Sequence, residues 1–171
     1  MESTFFLRGR RIGIRHLRPE DLQDLLQLEQ DPVVMTYING GYPLPDEEVK
    51  ERLSKAINFY NESPGLGKFA VCSLENDKFL GWACLQPLDN SGEIELGYRL
   101  HQHAWGQGIA SEASALLRDY YFNTLKLERL VAITRHDNFA SRKVIEKTGL
   151  SFEKEAVFYN TDVLYYSLHK E

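Results

Sequence analysis

The chain has 171 residues, 43% hydrophobic and 26% charged, enough apolar material to bury one sizeable core but not two. Its net charge of −5 excludes the broad positive field that draws proteins to nucleic acid or to anionic membranes, and points to basic or small partners. No apolar run is long enough to span a bilayer, and Arg8, Arg10 and Arg11 break the short Phe5-Phe6-Leu7 cluster, so the expectation is a soluble cytoplasmic protein.

The elements follow in chain order. Arg11 to Leu17 alternates as a first strand, and Pro19 then opens a helix with Leu22, Leu25, Leu26 and Leu28 on its apolar face. Asp31-Pro32 restarts the chain as a short helix over Val33 to Ile38. A longer helix carries Val49, Leu53, Ala56, Ile57 and Tyr60 and stops at Pro64-Gly65. The period then changes to that of strands: Phe69 to Leu74 and Phe79 to Leu85 form a hairpin, and Glu93 to Leu100 follows a turn at Asp89-Asn90-Ser91-Gly92. Next come a helix from Gly108 to Thr124, a buried strand from Leu130 to Thr134, and a helix from Phe139 to Thr148 capped by Gly149. Phe152 to Phe158 and Leu164 to His169 close the chain as a strand pair. The order predicts one α/β (α+β) domain over residues 1–171, with a mixed, mostly antiparallel sheet of roughly six to seven strands and helices on both faces.

Chemistry concentrates where the Glu93–Leu100 strand runs into Trp105-Gly106-Gln107-Gly108-Ile109-Ala110-Ser111-Glu112. Glycines before a helix start let backbone N–H groups face outward, where the helix dipole also favours an anion. By itself the spacing fits either a phosphate seat or a plain tight turn. A P-loop would need Gly-Lys-Ser/Thr, and a dinucleotide fingerprint would need glycine where Ser111 stands. Gly97, inside a strand pattern, marks a bulge or a close backbone approach. Cys72 and Cys84 sit in apolar β runs as small hydrophobes, and no His/Cys/Asp spacing calls for a metal.

At these residues the chain resembles the GNAT superfamily of acyl-CoA-dependent N-acyltransferases, whose signature is Gln/Arg-x-x-Gly-x-Gly/Ala at a helix start. Trp105 departs from the first position, but Trp-Gly-x-Gly-x-Ala-Ser-Glu-Ala is similar to the branch of ribosomal-protein N-terminal acetyltransferases. Asp31-Pro32-Val33-Val34-Met35, Ile94-Glu95-Leu96-Gly97-Tyr98, Asn138-x-x-Ser141 and Glu146-Lys147-Thr148-Gly149 are similar to further segments of that branch, in the same order.

The resemblance implies acetyl-CoA as cosubstrate, an amine acceptor (protein N-terminus or small molecule), a monomer or homodimer, and a V-shaped gap between the Glu93–Leu100 and Leu130–Thr134 strands. It places the cosubstrate on Trp105, Gly106, Gln107, Gly108, Ile109, Ala110 and Ser111, with Tyr98, Leu100 and Asn138 along the pantetheine arm. Asn138 also fits a helix N-cap. Amine attack needs a neutral nucleophile, and lysine side chains titrate near about 10.4, so a carboxylate base is useful. Glu95 is the first candidate and Glu93, two residues before it, the reserve. Many superfamily members carry a tyrosine acid seven residues after the motif asparagine; Ile145 stands there, leaving Ser141 as the candidate for protonating or steering the thiolate.

Overall fold

The computed structural model describes residues 5–171. Eight strands form one open sheet in the order β1-β2-β3-β4-β5-β6-β8-β7. The strands are β1 (Leu7–Arg8), β2 (Ile12–His16), β3 (Gly67–Ser73), β4 (Phe79–Pro87), β5 (Ile94–Leu100), β6 (Arg129–Thr134), β7 (Ser151–Phe158) and β8 (Thr161–His169). Seven are the expected ones. The eighth, β1, is a two-residue edge strand too short to show a period. All neighbouring pairs are antiparallel except β5 and β6, which are parallel.

The helices are α1 (Leu22–Glu29), α2 (Thr36–Asn39), α3 (Asp46–Glu62), α4 (Ile109–Asp119) and α5 (Phe139–Lys147). Helix α2 begins at Thr36 rather than Val33, because the Asp31 carboxylate accepts from Val33 N at 2.9 Å and holds the intervening residues as a turn. Beyond Asp119 the helical path continues to Thr124 as a π turn, closed by Leu125 N donating to Tyr120 O at 3.0 Å.

Strand parity divides the core in two. Ile12, Ile14, Phe69, Val71, Ala83, Leu85, Leu96 and Leu100 face α4 and α5, together with Ile109, Ala113, Leu117 and Ile145. Ala70, Cys72, Trp82 and Cys84 face α1 and α3, against Leu25, Leu28, Val49 and Leu53. Both cysteines are thus buried, and burial pushes the Cys72 thiol up to about 11 and the Cys84 thiol higher still.

Two buried ion pairs brace the α1 side. Arg15 forks onto Asp21 at 2.8 and 2.9 Å, and Arg99 donates to Glu29, whose other oxygen accepts from the Trp82 indole at 3.0 Å. On the opposite face the Glu112 carboxylate accepts from the backbone N–H of both Arg11 and Ile12 at 3.0 Å, tying the start of α4 to the start of β2.

Candidate active site

The parallel pair pairs only at Glu95 opposite Val131. Beyond that point β5 keeps its antiparallel ladder to β4 as far as Gly81–Leu100, while its other edge is free. An edge of unpaired N–H and C=O groups can take an extended ligand as a surrogate strand. The expected gap is therefore present. Gly97 is not a bulge, since the β4–β5 register runs through it without a break. It marks a close approach instead: a Cβ there would lie 3.2 Å from Cys84 Sγ.

At the far end of β5, Gly106 and Gly108 adopt left-handed backbone conformations with φ of +71° and +77°, a region that glycine enters without strain. A Cβ on Gly106 would meet no other residue within 4 Å, so the loop is open on that side. Gly108 caps α4, and the first-turn amides of a helix have no intrahelical acceptor. Trp105, at the divergent signature position, donates its indole N–H to Leu100 O at 2.9 Å and so braces the loop against the end of β5. Gln107 is committed too, its side chain donating to His103 O at 2.7 Å and its carbonyl accepting from Arg11 Nη1 at 2.6 Å. Leu100 and Ile109 are buried in the core, so only their backbones are available to a ligand.

Sequence reasoning missed Arg11 at this loop. Its guanidinium holds Glu112 at 3.2 Å, and Nη2 lies 3.2 Å from where a Cβ on Gly108 would sit. The guanidinium is thereby held against the glycine turn, its charge shared with the Glu112 carboxylate. No local signal could have shown this, because Arg11 and Glu112 are 101 residues apart. With acetyl-CoA seated here as the resemblance implies, Gly108→Val should raise its Kd about tenfold or more, through backbone strain and displacement of Arg11. Calorimetry checks it, and circular dichroism confirms that the fold persists.

On the α5 side, Asn138 caps the helix, its Oδ1 accepting from Ser141 N at 3.2 Å. Tyr98 faces the same way; burial pushes its phenol up, and the neighbouring Ser141 side chain opposes this. Ser141 and Tyr98 thus meet beside the free edge of β5, next to Ile145 where a tyrosine was looked for.

The two carboxylates differ sharply. Glu95 faces the α1 side on the strand proper, and burial pushes its carboxyl up to about 7, with a Gln86 hydrogen bond at 3.4 Å and the Lys68 charge opposing. Glu93 precedes the strand, which begins at Ile94, and its carboxylate pairs with Arg129 at 3.2 Å. Arg129 also holds Glu153 at 2.9 Å. Above Glu95 the β7–β8 turn brings in Tyr159, whose hydroxyl accepts from Asp89 N at 2.9 Å. Burial raises the Tyr159 phenol and the Glu95 charge adds to the effect, so the phenol and the carboxylate are electrostatic neighbours. His101 and His103 stack on each other 5.1 Å apart before α4.

A splayed parallel pair, a glycine-hinged helix start and a desolvated carboxyl on the strand between them make up an α/β cleft that fits the acyltransferase resemblance. The acetyltransferase (GNAT) domain profile matches residues 11–151. The chain is similar to the uncharacterized N-acetyltransferase p20 of Bacillus licheniformis, 32% identical over 148 residues that cover 86% of this chain and 82% of that one. An acetyltransferase from Agrobacterium tumefaciens superposes with a TM-score of 0.82 at 27% identity, over 99% of each chain. The ribosomal-protein α-N-acetyltransferase RimL, solved in complex with coenzyme A, shares the fold with a TM-score of 0.78 at 19% identity, over 94% of this chain and 95% of that one. The chain belongs to the acetyltransferase (GNAT) family, and it is an acetyltransferase enzyme.

Proposed function

We propose that this enzyme uses acetyl-CoA to N-acetylate a primary amine by direct transfer within a ternary complex, in the cytoplasm, with Glu95 as the base. The observation that carries the proposal is the Glu95 carboxyl, raised to about 7 at the position where β5 still pairs with β6, opposite Val131. A base with that pKa is ionised near neutrality yet basic enough to take a proton from an amine as it attacks.

The chain's residues divide the work along β5. The amides of Gly106 to Ser111 and the Arg11 cation receive the cosubstrate's phosphates. The free edge beyond Glu95, with Asn138 at its side, receives the pantetheine arm. A backbone N–H of β5 polarises the thioester carbonyl as an oxyanion donor. Glu95 accepts the amine proton as the N–C bond forms and the C–S bond breaks, and Ser141, in contact with Tyr98, supplies or steers the proton that the departing thiolate takes. Glu93 is the reserve candidate, its carboxylate committed to Arg129.

Neither thiol is set up to carry the acetyl group. Cys72 and Cys84 are buried, and desolvation keeps both protonated. Initial rates with varied acetyl-CoA and amine should therefore give intersecting lines, and the intact protein should show no acetyl adduct by mass spectrometry. Parallel lines with a trapped acetyl-protein would overturn direct transfer. Acetyl-CoA binding without CoA release across a broad amine panel would leave a binding module and overturn the transferase reading.

A further inference from the structure

The face of the sheet that carries Glu95 contains a charge pattern the reaction itself does not require. Pairing places Lys68 opposite Cys84, Cys84 opposite Gly97, and Trp82 opposite Arg99, with Gln86 opposite Glu95. Strand parity puts all these side chains on the α1 and α3 side. Gly97 and Cys84 are small, so the middle of the patch is a shallow hollow. Glu95 and Gln86 bound it at one end, Trp82 and Arg99 at the other, and Lys68 along its side. Electrostatic coupling runs across it: the Glu95 carboxyl feels Lys68, and the Cys84 thiol feels both.

The charges around this hollow do not balance. Arg99 has its carboxylate in Glu29. Its Nε, however, is buried without a hydrogen-bond partner among the described residues, on a side chain only 10% exposed. Lys68 makes no ion pair among the described residues; its ammonium lies 4.3 Å from the centre of the Trp82 ring. Burial pulls the Lys68 ammonium below its ordinary value, Glu29 opposes this and Arg99 reinforces it. Glu29 is committed to Arg99, and the Glu95 carboxylate gives up its charge when it takes the amine proton, so at that stage two cations share one fixed carboxylate, an arrangement that favours one further anion.

Resting on the transferase reading above, we propose that this hollow seats the acceptor, and that the acceptor is a primary amine bearing a carboxylate, which lies against Lys68 and the free edge of the Arg99 guanidinium while the amine faces Glu95. The carboxylate supplies the missing negative charge. It also orients the amine, since one end of the molecule is fixed by charge and the other by the proton acceptor. Amines without an acidic group leave Lys68 buried and unpaired.

The test compares acceptors that differ only in the acid. Free amino acids, their amides, the corresponding decarboxylated amines, and short peptides with an acidic or amide first side chain are assayed for CoA release with acetyl-CoA. The carboxylate form should exceed its amide in kcat/KM by about tenfold or more, the size of one charge-assisted contact. The free amino acids and the acidic peptides distinguish an α-carboxylate from a side-chain one. Lys68→Met should bring the acid-to-amide ratio close to one, and Lys68→Arg should keep it. A wild-type ratio near one, or a preference that survives in Lys68→Met, would overturn the proposal. Failure of the transferase reading has a different signature, acetyl-CoA binding with no CoA release from any acceptor. The hollow is then judged by thermal shift in the presence of CoA: carboxylate-bearing amines should raise the Tm of the wild type and leave that of Lys68→Met unmoved, and no shift in the wild type overturns the hollow as well.

Discussion

Glu95→Gln should lower kcat/KM by about a hundredfold or more at pH 8 while leaving the affinity for acetyl-CoA intact, because the amide keeps the shape and the Gln86 contact but cannot take a proton. The pH dependence separates a base from a mere neighbour. In the wild type two ionisations depress the rate on the acid side, that of the amine and that of Glu95 near about 7. The variant should retain only that of the amine. The amine ionisation is common to both, so the deficit is full above about pH 7 and shrinks below it, where Glu95 is protonated in the wild type as well. A variant with the wild-type profile would move the role to Glu93.

The same shift makes a statement about stability. Folding raises the Glu95 carboxyl from 4.5 to about 7, so the native state prefers the protonated form. The associated stability is fully present below the unfolded pKa and is lost as pH rises through about 7, a cost of about 3 kcal/mol above that point. Glu95→Gln escapes that cost. Its Tm should exceed that of the wild type at pH 8 and match it near pH 4, so thermal scans at the two pH values test the shift without any assay of activity.

What the sequence made legible was local chemistry. The turn at Gly106 and Gly108 could be read because left-handed backbone calls for glycine within a few residues of a helix start. Asn138 could be read as a cap because a cap needs only a side-chain oxygen within reach of an amide three residues on. The apolar periods located seven of the eight strands, and β1 escaped because two residues carry no period. What stayed hidden depended on contacts between distant segments. Arg11 looked like one charge among several at the start of a strand, and only the fold brings it to Gln107 and Glu112. Glu93 read as a free reserve base, but β5 starts one residue later and the fold brings Arg129 of β6 onto its carboxylate. Lys68, Arg99 and Glu29 belong to three separate elements, and no local pattern links them until α1 covers that side of the sheet.

Glu29→Ala should be among the most destabilising single changes in this fold. The Glu29 side chain is 5% exposed and takes both the Arg99 guanidinium and the Trp82 indole N–H. Truncation leaves a buried guanidinium uncompensated and a buried N–H unpaired, a loss of about 3–5 kcal/mol. For a chain of this length that corresponds to a fall in Tm of roughly 10–15 °C. Glu29→Gln should fall between the two, since it still accepts from Trp82 while giving up the charge. Combining Glu29→Leu with Arg99→Met removes both charges together, and should recover much of the loss, because the penalty comes from an unpaired buried ion rather than from the absence of an attractive pair. Denaturant melts of the four proteins settle the matter. A fall in Tm of only a degree or two for Glu29→Ala would show that water reaches Arg99 once α1 loses its carboxylate, and that the pair does not hold α1 against the sheet.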